Sequence, residues 1–181
     1  MTTEVLGEGR FTRLVRERGW EYVERKNTSG IVIIIALTDA GELLLVEQHR
    51  PPVGSRVVEL PAGLAGDIAG QEDEPLSAAA ERELVEETGY SASALVELTA
   101  GPLSAGLSTE VVTVFGAVDV VKVGDGGGDH TEDIAVFPVP LAEVPEFLDA
   151  RVAAGAMIDP KVYSALWFAE RLARGGGAAG P

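Results

Sequence analysis

Arg82-Glu83-Leu84-Val85-Glu86-Glu87-Thr88-Gly89 places three carboxylates close together in the chain. On an α-helix, at about 100° per residue, Glu83 and Glu87 fall about 40° apart on one face, and Glu86 lies at its edge. Glu86 also follows Arg82 by four residues, the spacing of a helical ion pair. Like charges at that spacing cost a few tenths of a kcal/mol, and acids in a last turn oppose the helix dipole. A bound hard cation compensates both penalties. All-oxygen ligands select Mg²⁺, Mn²⁺ or Ca²⁺ over softer metals. The plainer alternative is a solvated acidic face whose Arg82–Glu86 pair is a surface salt bridge.

The elements that must position these acids can be read along the chain. Pro75 to Thr88 reads as helix, with proline suited to its start and Gly89 to its stop. Residues 20–26, 31–37 and 43–49 read as strands, the last two joined by a turn at Thr38-Asp39-Ala40-Gly41 into a hairpin. Val57–Leu60, 95–99, 111–118 and Ile134–Val139 add strand character. Gly124–Asp129 reads as a flexible acidic loop, and residues 141–154 and 160–173 as closing helices. Val162, Ala165, Leu166, Ala169 and Leu172 form one apolar stripe on the second. Mixed strands with few helices and no regular βα alternation predict an α+β or α/β/α sandwich. Residues 1–174 read as one domain, with about 1–28 as an N-terminal strand region and 175–181 as a disordered tail.

Composition narrows the function classes. The 181 residues carry a formal charge of −15, nearly all of it after residue 60, so nucleic acid is a poor partner. No cysteine excludes a thiol nucleophile, a disulfide framework and cysteine-ligated metals, and two histidines exclude a histidine-rich site. The longest apolar run, Ile31 to Leu37, is far shorter than the roughly 20 residues of a bilayer span. The N-terminus shows no basic stretch followed by an apolar one, so a cytoplasmic protein without a secretory signal is expected.

Glu74, seven intervening residues and then Arg82-Glu83-Leu84-Val85-Glu86-Glu87-Thr88-Gly89 resemble the Nudix hydrolase signature. Tyr90 stands at its final aliphatic position. Ten residues intervene between Gly63 and Glu74 instead of five, which places an insertion within Ala65–Asp73. The resemblance implies a Nudix α/β/α sandwich with a mixed central sheet and an N-terminal β extension. It further implies hydrolysis of a nucleoside diphosphate linked to another group. By that resemblance Glu83, Glu86, Glu87 and the Ala62 carbonyl hold Mg²⁺, with Mn²⁺ as a substitute. Arg82 orients a glutamate through a charge-assisted hydrogen bond, and Glu74 pairs with it or helps a metal.

Glu47-Gln48-His49-Arg50-Pro51-Pro52, Glu59-Leu60-Pro61-Ala62-Gly63, Gly106-Leu107-Ser108, Thr131-Glu132-Asp133-Ile134 and Ile158-Asp159-Pro160-Lys161-Val162-Tyr163-Ser164 resemble the ADP-ribose/ADP-sugar pyrophosphatase branch. The expected substrate residues are Trp20, stacking on adenine, Arg50, gripping phosphates, and Arg56, Glu59 and Gly106. Arg56 has a subunit interface as its alternative place, and Trp20 has plain core packing. Glu132 or a helix glutamate, Glu86 among them, is the expected general base, and His130 is a further option that as a lone loop histidine reads as idle. A mobile Gly124–Gly128 segment would let Glu132 close over substrate. The branch commonly builds its site across a homodimer, and the 20–26 strand fits that. Ala105 replaces the proline usual before the post-box glycine, which loosens the assignment to ADP-ribose. Other nucleoside diphosphate sugars and dinucleoside polyphosphates are the alternative substrates, and a non-catalytic ligand sensor is the alternative class.

Overall fold

The computed structural model describes residues 3–128 and 133–175. Glu132, His130 and the tail beyond Gly175 lie outside the described residues. Among the described residues twelve strands form in chain order: β1 (Glu4–Glu8), β2 (Thr12–Glu17), β3 (Trp20–Arg25), β4 (Gly30–Thr38), β5 (Glu42–Arg50), β6 (Ser55–Glu59), β7 (Ala62–Ala65), β8 (Tyr90–Ser91), β9 (Val96–Pro102), β10 (Val111–Lys122), β11 (Ala135–Pro140) and β12 (Met157–Ile158). Three α-helices join them: α1 (Leu76–Thr88), α2 (Val144–Ala153) and α3 (Pro160–Ala173). Strands β1–β3 make a separate antiparallel sheet, and the other nine form one mixed sheet.

Strand β4 explains the layers. Its apolar run is buried on both faces, and alternate side chains go to opposite sides because a strand's side-chain period is two. Val32, Ile34 and Ala36 pack with Ala79, Ala80 and Leu84 of α1. Ile33, Ile35 and Leu37 pack with Val162, Ala165, Ala169 and Leu172 of α3 and with Leu148 of α2. The sheet is therefore covered by helices on both faces, the α/β/α sandwich expected. Asp159 caps α3 by accepting from the Lys161 N–H, and Pro160 opens the helix where its missing N–H costs nothing.

The hairpin expected between β4 and β5 exists only at its turn, where Leu37 pairs with Leu43. Beyond it β4 runs parallel to β10, while β7 takes its other edge from Gly30 to Ile33. Strand β5 instead pairs with β6 and β11. This divergence brings the Pro61-Ala62-Gly63 segment alongside β4 and beneath α1. Two strands not singled out by apolar pattern, β1 and β2, lie in the exposed N-terminal sheet, and residues 141–154 divide into a short 3₁₀ turn and α2.

Candidate active site

Helix α1 is anchored by its apolar face and stops at Gly89, whose φ of 73° suits a residue without Cβ. Anchoring fixes where the acids go. Glu87 is 3% exposed, and its Oε2 accepts from the Ala62 N–H at 3.0 Å. Glu83 lies across Gly63 so closely that a Cβ there would come within 1.9 Å of the Glu83 carboxyl carbon. Glycine at position 63 is therefore a requirement of the carboxylate beside it. Glu86 is about half exposed at the rim.

Arg82 organises the cluster. Its Nε and Nη2 donate to the two oxygens of Glu74 at 3.0 and 3.1 Å, a bidentate pairing. Nη1 donates to Glu83 at 2.8 Å and Glu86 at 3.1 Å, and Nη2 also reaches the Leu64 carbonyl at 2.8 Å. The Arg82 hydrogen bonds hold the Glu74 carboxyl below its ordinary range. Glu83 goes the other way: burial pushes it up to about 7, against the pull of Arg82.

Among the described residues, no three acidic or histidine side chains already converge on one point that could hold an ion. The hydrogen bonds explain this, because Arg82 draws Glu83 and Glu86 to itself while Glu87 faces the Ala62 N–H. The donor chemistry nevertheless fits a hard divalent cation. Every donor is oxygen, and Glu83 and Glu87 are largely buried carboxylates.

A cavity of about 350 Å³ opens beside Ala62 and Gly63. Arg50 and Glu59 line it, paired with each other at 2.7 Å. Two cations that the sequence reading gave no role line it too: Arg25, paired with Glu110 at 2.6 Å, and Lys161, paired with Asp159. Arg25 gave no local signal because it ends a strand of the N-terminal sheet and reaches the cavity only where that strand runs beside Ser108 and Glu110. Lys161 sat inside a quoted motif, so its position was in hand.

Trp20, Gly106 and Arg56 lie elsewhere in the chain. Trp20, 64% exposed, lines a second cavity of about 400 Å³ with Tyr22, Ala105 and Gly106. The post-box loop is held there by β3, since the Val23 N–H donates to the Leu107 carbonyl at 2.8 Å. Arg56 is in neither cavity. Its Nε donates to Glu47 and its Nη1 to Asp133, because Glu47 is 2% exposed and its buried charge needs cations. Arg151 supplies the other half of that compensation with two bonds at 2.7 Å. The Gly124–Gly128 segment, expected to be a flexible hinge, is bonded through its backbone to the end of α1.

Comparison with known proteins agrees with the fold and the acidic helix. Residues 27–159 match the family described as NUDIX domain. The chain is 36% identical over 123 residues to an ADP-ribose pyrophosphatase of Bacillus subtilis (strain 168), covering 67% of this chain and 64% of that one. It is 42% identical over 118 residues to an ADP-ribose pyrophosphatase of Mycobacterium tuberculosis, covering 63% and 54%. The chain thus spans less than two thirds of the length of these two relatives. An ADP-sugar pyrophosphatase of Mus musculus is 33% identical over 89% of this chain and 82% of its own. A solved structure described as an ADP compounds hydrolase shares the fold, with a TM-score of 0.70 at 22% identity over 98% of this chain and 94% of that one.

Proposed function

The chain belongs to the NUDIX family, and from that premise we propose that it hydrolyses the diphosphate bond of ADP-ribose or a related nucleoside diphosphate sugar with Mg²⁺. The observation that carries the reading is the Arg82-centred carboxylate cluster bonded to Ala62 and Leu64, residues that also line the cavity holding Arg25, Arg50 and Lys161. Acids for cations and cations for phosphates stand side by side, in a chain of strongly negative charge. The relatives in Bacillus subtilis and Mus musculus, an ADP-ribose pyrophosphatase and an ADP-sugar pyrophosphatase, support the substrate class.

Glu83, Glu86, Glu87 and the Ala62 carbonyl would hold the divalent ions, which when bound neutralise phosphate charge and acidify a water. Arg50 and Lys161 orient the diphosphate from the cavity wall. Glu132, or Glu86, accepts the proton of the attacking water. The water oxygen adds to one phosphorus, the bridging P–O bond breaks, and the bridging oxygen leaves with the other phosphate. From ADP-ribose the products are AMP and ribose 5-phosphate. Arg82 takes no part in these transfers, since its hydrogen bonds go to Glu74, Glu83, Glu86 and the Leu64 carbonyl; it is a positioning residue.

Trp20 and Gly106 serve adenine in this reading, and their separation from the Arg50 cavity supports a homodimer in which one protomer's N-terminal sheet completes its partner's site. One catalytic domain with an N-terminal dimerisation region, acting in the cytoplasm, completes the proposal. Among the described residues, no helix is long and apolar enough to cross a membrane. The test is a mass-spectrometric product screen over ADP-ribose, other nucleoside diphosphate sugars and dinucleoside polyphosphates, with and without Mg²⁺. AMP and ribose 5-phosphate in equal amounts support the reading, and no metal-dependent cleavage of any candidate overturns it.

A further inference from the structure

The last carbonyls of a helix have no partner within it. At the end of α1, Glu86 and Glu87 add side-chain charge to a terminus already negative by its dipole. Gly127 donates its N–H to the Glu87 carbonyl at 2.8 Å, and Gly128 donates to the Glu86 carbonyl at 3.0 Å. Val123 and Gly124 both donate to the Gly89 carbonyl, at 2.8 and 3.0 Å. The segment after β10 thus lies across the end of the carboxylate helix, with its N–H dipoles aimed at the two residues whose side chains matter most.

Only glycine permits this approach. Gly126 has φ of 71°, and a Cβ there would come within 2.3 Å of the Thr88 carbonyl carbon and 2.6 Å of the Gly89 nitrogen. Gly89 is matched from the other side, since its Cβ would come within 2.3 Å of the Gly124 carbonyl oxygen. Gly124 itself differs: a Cβ there meets nothing within 4 Å, and its φ lies outside the left-handed range.

We propose that Gly126, Gly127 and Gly128 form a backbone strap that positions Glu86 and Glu87 for divalent-metal binding. The proposal rests on the metal site read above. The strap fixes the backbone of these two residues, and therefore the points their carboxylates can reach. Mg²⁺ demands near-ideal octahedral geometry at about 2.0–2.1 Å, so small displacements of the last turn are felt as lost affinity.

The experiment is Mn²⁺ titration of the purified full chain, with free ion read by electron paramagnetic resonance in the absence of substrate. Gly126→Ala should weaken Mn²⁺ binding by about 10-fold or more, as loss of groups supporting metal ligands does. Gly124→Ala should bind like the unaltered chain. Inserting one glycine between Gly124 and Asp125 slackens the strap without a clash and at little closure cost. That insertion should also weaken Mn²⁺, and it decides the matter if Gly126→Ala does not fold. At saturating metal, KM for substrate should stay unchanged in the folded variants, which general damage to the site would not allow. Folded Gly126→Ala with unaltered affinity overturns the strap, as does an equal loss in Gly124→Ala. An unaltered chain that binds no Mn²⁺ overturns the metal site itself.

Discussion

Replacing Arg82 by methionine removes the cation that Glu74, Glu83 and Glu86 share. Glu74 is 7% exposed and loses both hydrogen bonds from Arg82, so it becomes a buried carboxylate with only the Gly66 N–H, at 3.4 Å, still donating to it. Breaking such a pair costs about 3 kcal/mol here, the low end of the usual range because Arg82 keeps some solvent contact. For a chain of this length that lowers Tm by about 6–12 °C. The assay is thermal unfolding followed by circular dichroism for Arg82→Met, Glu74→Gln and the double variant. Removing both partners deletes the orphaned charge, so the double variant should melt above Arg82→Met. Activity should fall as well, since Glu83 and Glu86 lose the group that holds them. An Arg82→Met chain that melts with the unaltered protein would refute the reasoning. A double variant whose losses simply add would refute the coupling.

Glu87→Gln should leave Tm nearly unchanged, because the amide oxygen can still accept from the Ala62 N–H, yet nearly abolish turnover. An unaffected rate at saturating Mg²⁺ contradicts the metal assignment. Glu74 titrates below its ordinary value when folded, so its ion pair adds stability above the unfolded carboxyl pKa of about 4.3 and loses it as pH falls through the folded value. The Tm difference between the unaltered chain and Glu74→Gln should therefore be full near pH 7 and shrink below about pH 4; a difference that stays constant to the acid end contradicts the pairing. Trp20→Ala should raise KM for ADP-ribose about 10-fold with little change in kcat or Tm, the value of one base stacked on an aromatic ring. Unchanged KM removes Trp20 from the adenine site.

Much of the sandwich was legible because its signals are local. The continuous apolar run from Val32 to Leu37 reads as a strand, its period of two sends alternate residues to opposite faces, and α1 and α3 announce their ends through Gly89 and the Asp159-Pro160 cap. Strand partners were not legible: β4 chooses β10, far away in sequence, over the strand next to it, and no local residue pattern encodes that choice. Strands β1 and β2 escaped because an exposed ribbon needs no apolar alternation. In the site, the acids were readable from helical spacing, whereas Arg25 depends on how the N-terminal sheet packs. The pairing of Arg56 was not legible, because the burial of Glu47 beside it depends on how β5 and β6 pack. The glycine run was read as slack from composition, although the same residue type also serves close backbone approach.

The most direct test is a crystal structure of the chain with Mg²⁺ and a methylene-bridged ADP-ribose that cannot be cleaved. The account predicts Mg²⁺ bound by Glu83, Glu86, Glu87 and the Ala62 carbonyl, with the diphosphate analogue against Arg50 and Lys161. Density showing the analogue bound while those three acids remain on Arg82, Ala62 and solvent, without metal, would contradict it.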